Sequence, residues 1–126
     1  MKRFYVFFVL VFVLMLFGCK KSVLHRADSG KTFTYSLGEE FSISLSENLS
    51  TGYTWHFKTI PATQMVVSFL SDRYDAPKTN RVGAGGQRVF LWQAVTAGEV
   101  EIQGFYARPW AQSKEEPSVV YKIIVK

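Results

Sequence analysis

Cysteine and histidine are nearly missing from this chain: of 126 residues, one is Cys and two are His. A single Cys excludes a disulfide-stapled mini-protein and a cysteine zinc cluster. His25 and His56 stand apart, with neither the paired-His nor the His–Glu spacing of a metal site, and no serine sits in a nucleophile elbow. No catalytic residue, metal or cofactor is expected. Lys and Arg outnumber Asp and Glu by 15 to 10, but the basic residues are scattered and form no stripe of the kind that grips a phosphate backbone, so nucleic acid is excluded as a partner. Beyond the first residues, helical periodicity is also missing.

What is present begins with one hydrophobic run. After Met1-Lys2-Arg3 come fourteen apolar residues, Phe4 to Phe17, and then Gly18-Cys19. A short basic start, an apolar core and a small residue before the cut describe an export signal. As a helix the core reaches only about 21 Å, short of the roughly 30 Å of bilayer hydrocarbon, so it is not a permanent span. Leu16-Phe17-Gly18-Cys19 resembles a bacterial lipobox, which implies removal of residues 1–18 and lipidation of Cys19. The resemblance further implies a lipoprotein held at the outer membrane or the cell surface by its acyl chains. Residues 19–31, with Lys20 and Lys21 near the headgroups, read as a polar tether. Without residues 1–18 the chain keeps 13 basic and 10 acidic side chains, a modest net charge of +3.

Residues 32–126 carry period-two alternation, the mark of half-buried strands. Seven are expected. The first is Thr32–Leu37, and the second sets Phe41, Ile43 and Leu45 against Ser42, Ser44 and Ser46. Tyr53, Trp55 and Phe57 make the third, while Met65, Val67 and Phe69 make the fourth. The fifth, Val89 to Val95, is apolar on both faces. The sixth starts at Val100 and Ile102, with Gly104 marking a kink or bulge, and the seventh runs from Val119 to Val125. Seven short strands in about a hundred residues predict an all-β, immunoglobulin-like β-sandwich of antiparallel strands. Its core must hold without a disulfide.

Antiparallel strands place successive connections at alternating ends. The first, third and fifth connections are short. The second (Glu47–Gly52), fourth (Asp72–Gly86) and sixth (Arg108–Pro117) carry the unusual residues, and parity puts all three at one end. The fourth is roughly fifteen residues long, a length at which functional loops outnumber plain connectors.

Asn48-Leu49-Ser50-Thr51-Gly52-Tyr53 predicts a tight, self-bonded turn, with a plain polar hairpin tip as the alternative. Gly83-Ala84-Gly85-Gly86 lacks the strand-to-helix setting of a phosphate cradle and predicts a backbone stripped for close approach to another surface. Arg108-Pro109-Trp110 fixes a large aromatic and a guanidinium, both typical of interface hot spots, beside a proline. The alternative is Trp110 folded back onto the sandwich edge.

In order and placement, these three segments resemble the loops of the chagasin family of cysteine-peptidase inhibitors: Asn-Pro-Thr-Thr-Gly-aromatic, Gly-x-Gly-Gly and Arg-Pro-Trp. The resemblance spans nearly all of residues 32–126. Leu49 stands where the family has proline and Ser50 where it has the first threonine, departures that bear on affinity and target range. The resemblance implies a reversible, non-covalent, monomeric inhibitor that occludes the cleft of a papain-like cysteine peptidase. Ser50 and Thr51 would enter beside the catalytic Cys–His pair, Gly83–Gly86 would lie along the non-prime cleft, and Arg108 and Trp110 would pack on the other side. An immunoglobulin-like surface lipoprotein using the same loops on a non-peptidase partner, as an adhesin or assembly module, is the alternative.

Overall fold

The computed structural model describes residues 22–79, 81, 83–110 and 116–126. Residues 1–21, which include the segment read as an export signal together with Cys19, Lys20 and Lys21, lie outside the described residues. Among those described there are eight strands: β1 (Ser22–Leu24), β2 (Thr32–Tyr35), β3 (Glu40–Glu47), β4 (Thr54–Ile60), β5 (Val67–Asp75), β6 (Gly86–Ala94), β7 (Gly98–Ala107) and β8 (Val119–Val125). They form two sheets, ordered β1-β3-β6-β5 and β2-β8-β7-β4.

Alternation decides which face of each strand turns inward. Phe41, Ile43 and Leu45 of β3 meet Phe90, Trp92 and Ala94 of β6 in one layer, and Val100, Ile102, Tyr121 and Ile123 of β7 and β8 supply the other. Tyr35 stacks on Phe41 with ring centroids 4.5 Å apart, tying the two sheets together. The all-β sandwich expected from the sequence is therefore present, with four differences.

Residues 22–31, read as tether, are folded. Leu24 is only 1% exposed, and burying a leucine contributes about 1.5–3 kcal/mol, reason enough for this segment to dock. Behind β1, a short 3-10 helix at Arg26–Asp28 is closed by His25 N donating to Asp28 Oδ2 at 2.9 Å. Two pairings, β1 with β3 and β2 with β8, are parallel, because the N-terminal segment crosses from one sheet to the other. At the start of β5, Val67 and the preceding Val66 are buried, while Met65 before the strand and Phe69 within it are exposed. This strand is a free edge, and its register shifts between Phe69 and Ser71, which breaks the simple alternation. Finally, Gly104 neither kinks nor bulges: it pairs in register with Phe57 and Val119. A Cβ there would lie 2.6 Å from Val119 Cγ2, so the glycine serves close packing.

The register also fixes the two poles. Glu47 is opposite Gly86, Asp75 opposite Gln87, Thr54 opposite Ala107 and Gly104 opposite Val119. The described residues of three connections, 48–53, 76–79 with 81 and 83–85, and 108–110 with 116–118, therefore lie at one pole. The turns at 36–39, 61–66 and 95–97 close the other.

Candidate functional site

The turn between β3 and β4 organises itself. Asn48 Oδ1 accepts from Ser50 N at 3.1 Å and from Ser50 Oγ at 2.7 Å, and Thr51 Oγ1 donates to Asn48 O at 2.9 Å. These bonds close a 3-10 helix over Leu49–Thr51, which ends at Gly52 in the left-handed region with φ 77°. The Ser50 hydroxyl is thus engaged within the loop. Leu49, by contrast, presents its side chain outward, 55% exposed.

Asn48 also reaches across to the next loop: its Nδ2 donates to Gly83 O at 2.7 Å. Its backbone N–H donates to the Tyr106 hydroxyl at 3.2 Å. Tyr106 stacks on Trp55 with centroids 4.9 Å apart and lies 5.6 Å from the Tyr53 ring. The Arg108 guanidinium sits 5.1 Å from the Tyr53 ring and 5.8 Å from that of Trp110, inside cation–π range of both. So the three segments, far apart in sequence, touch in space. Trp110 is not folded onto the sandwich edge, since it is 75% exposed, and Pro109 beside it is exposed too.

The glycine loop divides into two roles. Gly83 adopts φ 80° and supplies the carbonyl that Asn48 holds, while Gly85 packs so that a Cβ would lie 3.4 Å from Glu47 O. Ala84 between them is half-buried. Gly86, expected on the contact surface, is instead the buried first residue of β6. A side chain there would collide with Asp75 O and come within 2.7 Å of the Tyr74 hydroxyl. Its bareness makes room for Tyr74, whose hydroxyl accepts from Gly86 N at 3.0 Å.

Beneath the loops lies a polar foundation that the motif reading did not find. Glu47, immediately before Asn48, is buried and accepts from Arg88 Nε at 2.6 Å. Arg88 Nη1 donates to Asp72 Oδ2 at 3.0 Å, and its guanidinium lies 5.5 Å from the Tyr74 ring. The hydrogen bond to Glu47 pushes the Arg88 pKa above its ordinary value, so this cation stays charged. The period of two held a signal for both residues. Glu47 continues the inward phase of Phe41, Ile43 and Leu45, and Arg88 precedes the inward Phe90 and Trp92. A charge in phase with a core must find a partner.

His56 Nε2 is 2.8 Å from Thr54 Oγ1, on a strand. Among the described residues no cluster of three or more His, Cys, Asp or Glu is placed to hold a metal ion. An aromatic cleft of about 510 Å³ between the free edges β4 and β5 includes Phe57, Phe69 and Trp92. Trp92 Nε1, buried there without a hydrogen-bond partner, has the Phe57 and Phe69 rings steeply inclined to its indole.

A two-layer sandwich with three adjoining loops at one pole has the form of a scaffold that presents a binding surface. The model of the family described as "Chagasin family peptidase inhibitor I42" matches residues 34–125, and the chain belongs to that family. It is a peptidase inhibitor and not an enzyme. Chagasin of Trypanosoma cruzi is 33% identical over 89 residues, covering 68% of this chain and 79% of that protein. Amoebiasin-1 of Entamoeba histolytica is 28% identical over 103 residues, covering 82% and 98%. The crystal structure of the cysteine protease inhibitor EhICP2 of Entamoeba histolytica shares the fold, with a TM-score of 0.70 at 24% identity over 83% of this chain and 95% of that one. The solution structure of amebosin superimposes with a TM-score of 0.67 at 24% identity, over 85% and 99%.

Proposed function

We propose that this chain is a reversible, non-covalent inhibitor of papain-like cysteine peptidases, and that residues 48–53, 83–85 and 108–110 jointly fill the peptidase cleft. The observation that carries this reading is the bridging of the three segments: Asn48 Nδ2 holds Gly83 O, and Arg108 lies over Tyr53. A surface assembled and bonded before the encounter loses little conformational entropy on docking. Ser50 and Thr51 enter next to the thiolate, with Leu49 adding apolar contact in place of a rigid proline. Gly83–Gly85 run along the substrate cleft through backbone hydrogen bonds, and Arg108 and Trp110 pack on the far wall. The contact has the standard size, roughly 800 Å² per partner. The inhibitor survives because none of its carbonyl carbons reaches attack distance from the thiolate, roughly 3–3.5 Å. The chain acts as a monomer.

We also infer that Cys19 is acylated after removal of residues 1–18, so that the inhibitor works at a bacterial membrane or cell surface. The Leu16-Phe17-Gly18-Cys19 pattern supports this, with Lys20 and Lys21 adding attraction to anionic headgroups.

The test is an equilibrium titration of papain with the mature chain. A stoichiometric, reversible loss of turnover is expected. Papain left active at tens of micromolar chain would contradict the proposal.

A further inference from the structure

The folded N-terminal segment has a consequence for orientation. β1 runs parallel to β3, and Ser22 pairs with Phe41, one residue from the start of β3. The first described residue therefore stands at the pole opposite the three loops. Cys19 precedes it by three residues, which span at most about 10 Å when extended. The sandwich between the poles is as long as β7, ten residues, or roughly 33 Å of strand. A link of that length cannot bring a lipid on Cys19 to the loop pole. Had residues 20–31 been a free tether, the loops would have been able to face in any direction.

The same pole carries a concentration of exposed apolar side chains. Leu37 lies in the turn after β2, Ile60 and Met65 flank the turn between β4 and β5, and Val95 follows β6. Their exposures are 61%, 48%, 72% and 36%. Leu37 N donates to Lys126 O, Gly38 N to Ala94 O, and Val95 N to Val66 O, so these turns are bonded to one another and form one surface. Of the carboxylates there, Glu39 is turned back onto Ser36 N at 2.8 Å and Glu99 lies 3.9 Å from Lys122 Nζ. No core demand explains four such side chains left outside. A nearby bilayer does, since apolar side chains that reach it add buried area to the hold of the acyl chains.

We propose that this pole is a bilayer-facing surface, which seats the sandwich on the membrane and points the three loops away from it. The inference rests on acylation of Cys19, and its test separates the two. Met65→Cys or Thr79→Cys supplies a single thiol for a fluorophore, one at each pole. The chain is held on phosphatidylethanolamine–phosphatidylglycerol vesicles carrying headgroup nitroxide quenchers, in two ways. One is its own acyl anchor, checked by the mass of the N-terminal peptide. The other is a hexahistidine segment replacing residues 1–19, on nickel-chelating lipid; residues 22–126 contain both sheets and their whole core. In both forms the label at 65 is expected to be quenched several-fold more than that at 79. Adding Leu37→Ser, Ile60→Ser and Val95→Ser, all at exposed sites, is expected to relieve that quenching while the tether stays intact. Equal quenching at the two labels, or quenching unchanged by the serines, overturns the proposal, as does shielding of the label at 65 in solution by a second copy of the chain. An N-terminal peptide without acyl chains refutes the anchor alone, because the nickel-held form still reports on the surface.

Discussion

Glu47 and Asn48 are neighbours with opposite tasks, and the difference is one of strand phase. Glu47 turns inward and is fixed by Arg88, while Asn48 turns outward and bonds two loops together. Removing the Glu47 carboxylate leaves Arg88 with Asp72 and the face of Tyr74. Breaking a buried pair costs 3–5 kcal/mol, and because Arg88 is partly exposed, Glu47→Ala is expected to lower the urea-unfolding free energy by about 3 kcal/mol. Asn48→Ala takes away hydrogen bonds at the surface, each worth about 1 kcal/mol. It is expected to weaken papain inhibition more than it shifts the unfolding midpoint, and a midpoint loss with unchanged inhibition would deny the bridge its role. At Gly85 a Cβ makes ordinary contact, whereas at Gly86 it collides with backbone. Gly86→Ala should therefore unfold at markedly lower urea than Gly85→Ala. The sequence pattern named both glycines as contact residues and could not separate them, because the glycine in the loop and the glycine under Tyr74 look alike in a motif. Glu47 and Arg88 were legible in principle from their phase, but a motif-centred reading passes over charges that belong to the core.

Among the elements, the long strands announced themselves and the short ones did not. β3 and β8 bury every second residue over seven positions, and β6 and β7 do so over five, at 90–94 and 100–104, enough to show a period. β1 has three residues, and no three residues display a period of two. Its docking depends on Leu24 finding a place in a core made by distant strands, which is a tertiary fact. What secures it is visible only in three dimensions as well: Tyr121 of β8, fully buried, donates from its hydroxyl to His25 O at 2.8 Å. Burial pushes the Tyr121 pKa from 10.0 up to about 12. A group whose pKa is raised by folding stabilises the fold while it is neutral in both states. That contribution is complete below pH 10 and is lost as pH rises toward about 12. Wild-type unfolding free energy is thus expected to fall across this window. Tyr121→Phe, stripped of the group, should show a shallower decline and lose about 1 kcal/mol at neutral pH with the hydrogen bond. An identical alkaline slope in the variant would remove Tyr121 from that role.

For the whole molecule, the decisive property is that three separated segments share a pole, and counting connections was enough to see it. The additional strand β1 did not disturb the count, since it precedes every connection and shifts all three alike. Parity could say that the segments share an end, though not that they touch; contact depends on Asn48, Tyr53, Tyr106 and Arg108 meeting across two sheets. Trp110 stands clear of the core, so Trp110→Ala is expected to leave stability unchanged. Its effect should appear in binding, as a loss of roughly 2 kcal/mol, or about thirty-fold in the inhibition constant, the size typical of an aromatic hot spot. The most direct test of the three-loop arrangement is amide hydrogen exchange of the chain with and without bound papain. Slowed exchange is expected at 48–53, 83–85 and 108–110 together, with the turns at 36–39, 61–66 and 95–97 unaltered. Protection at only one of the three segments, or at the opposite pole, would contradict joint occlusion of the cleft.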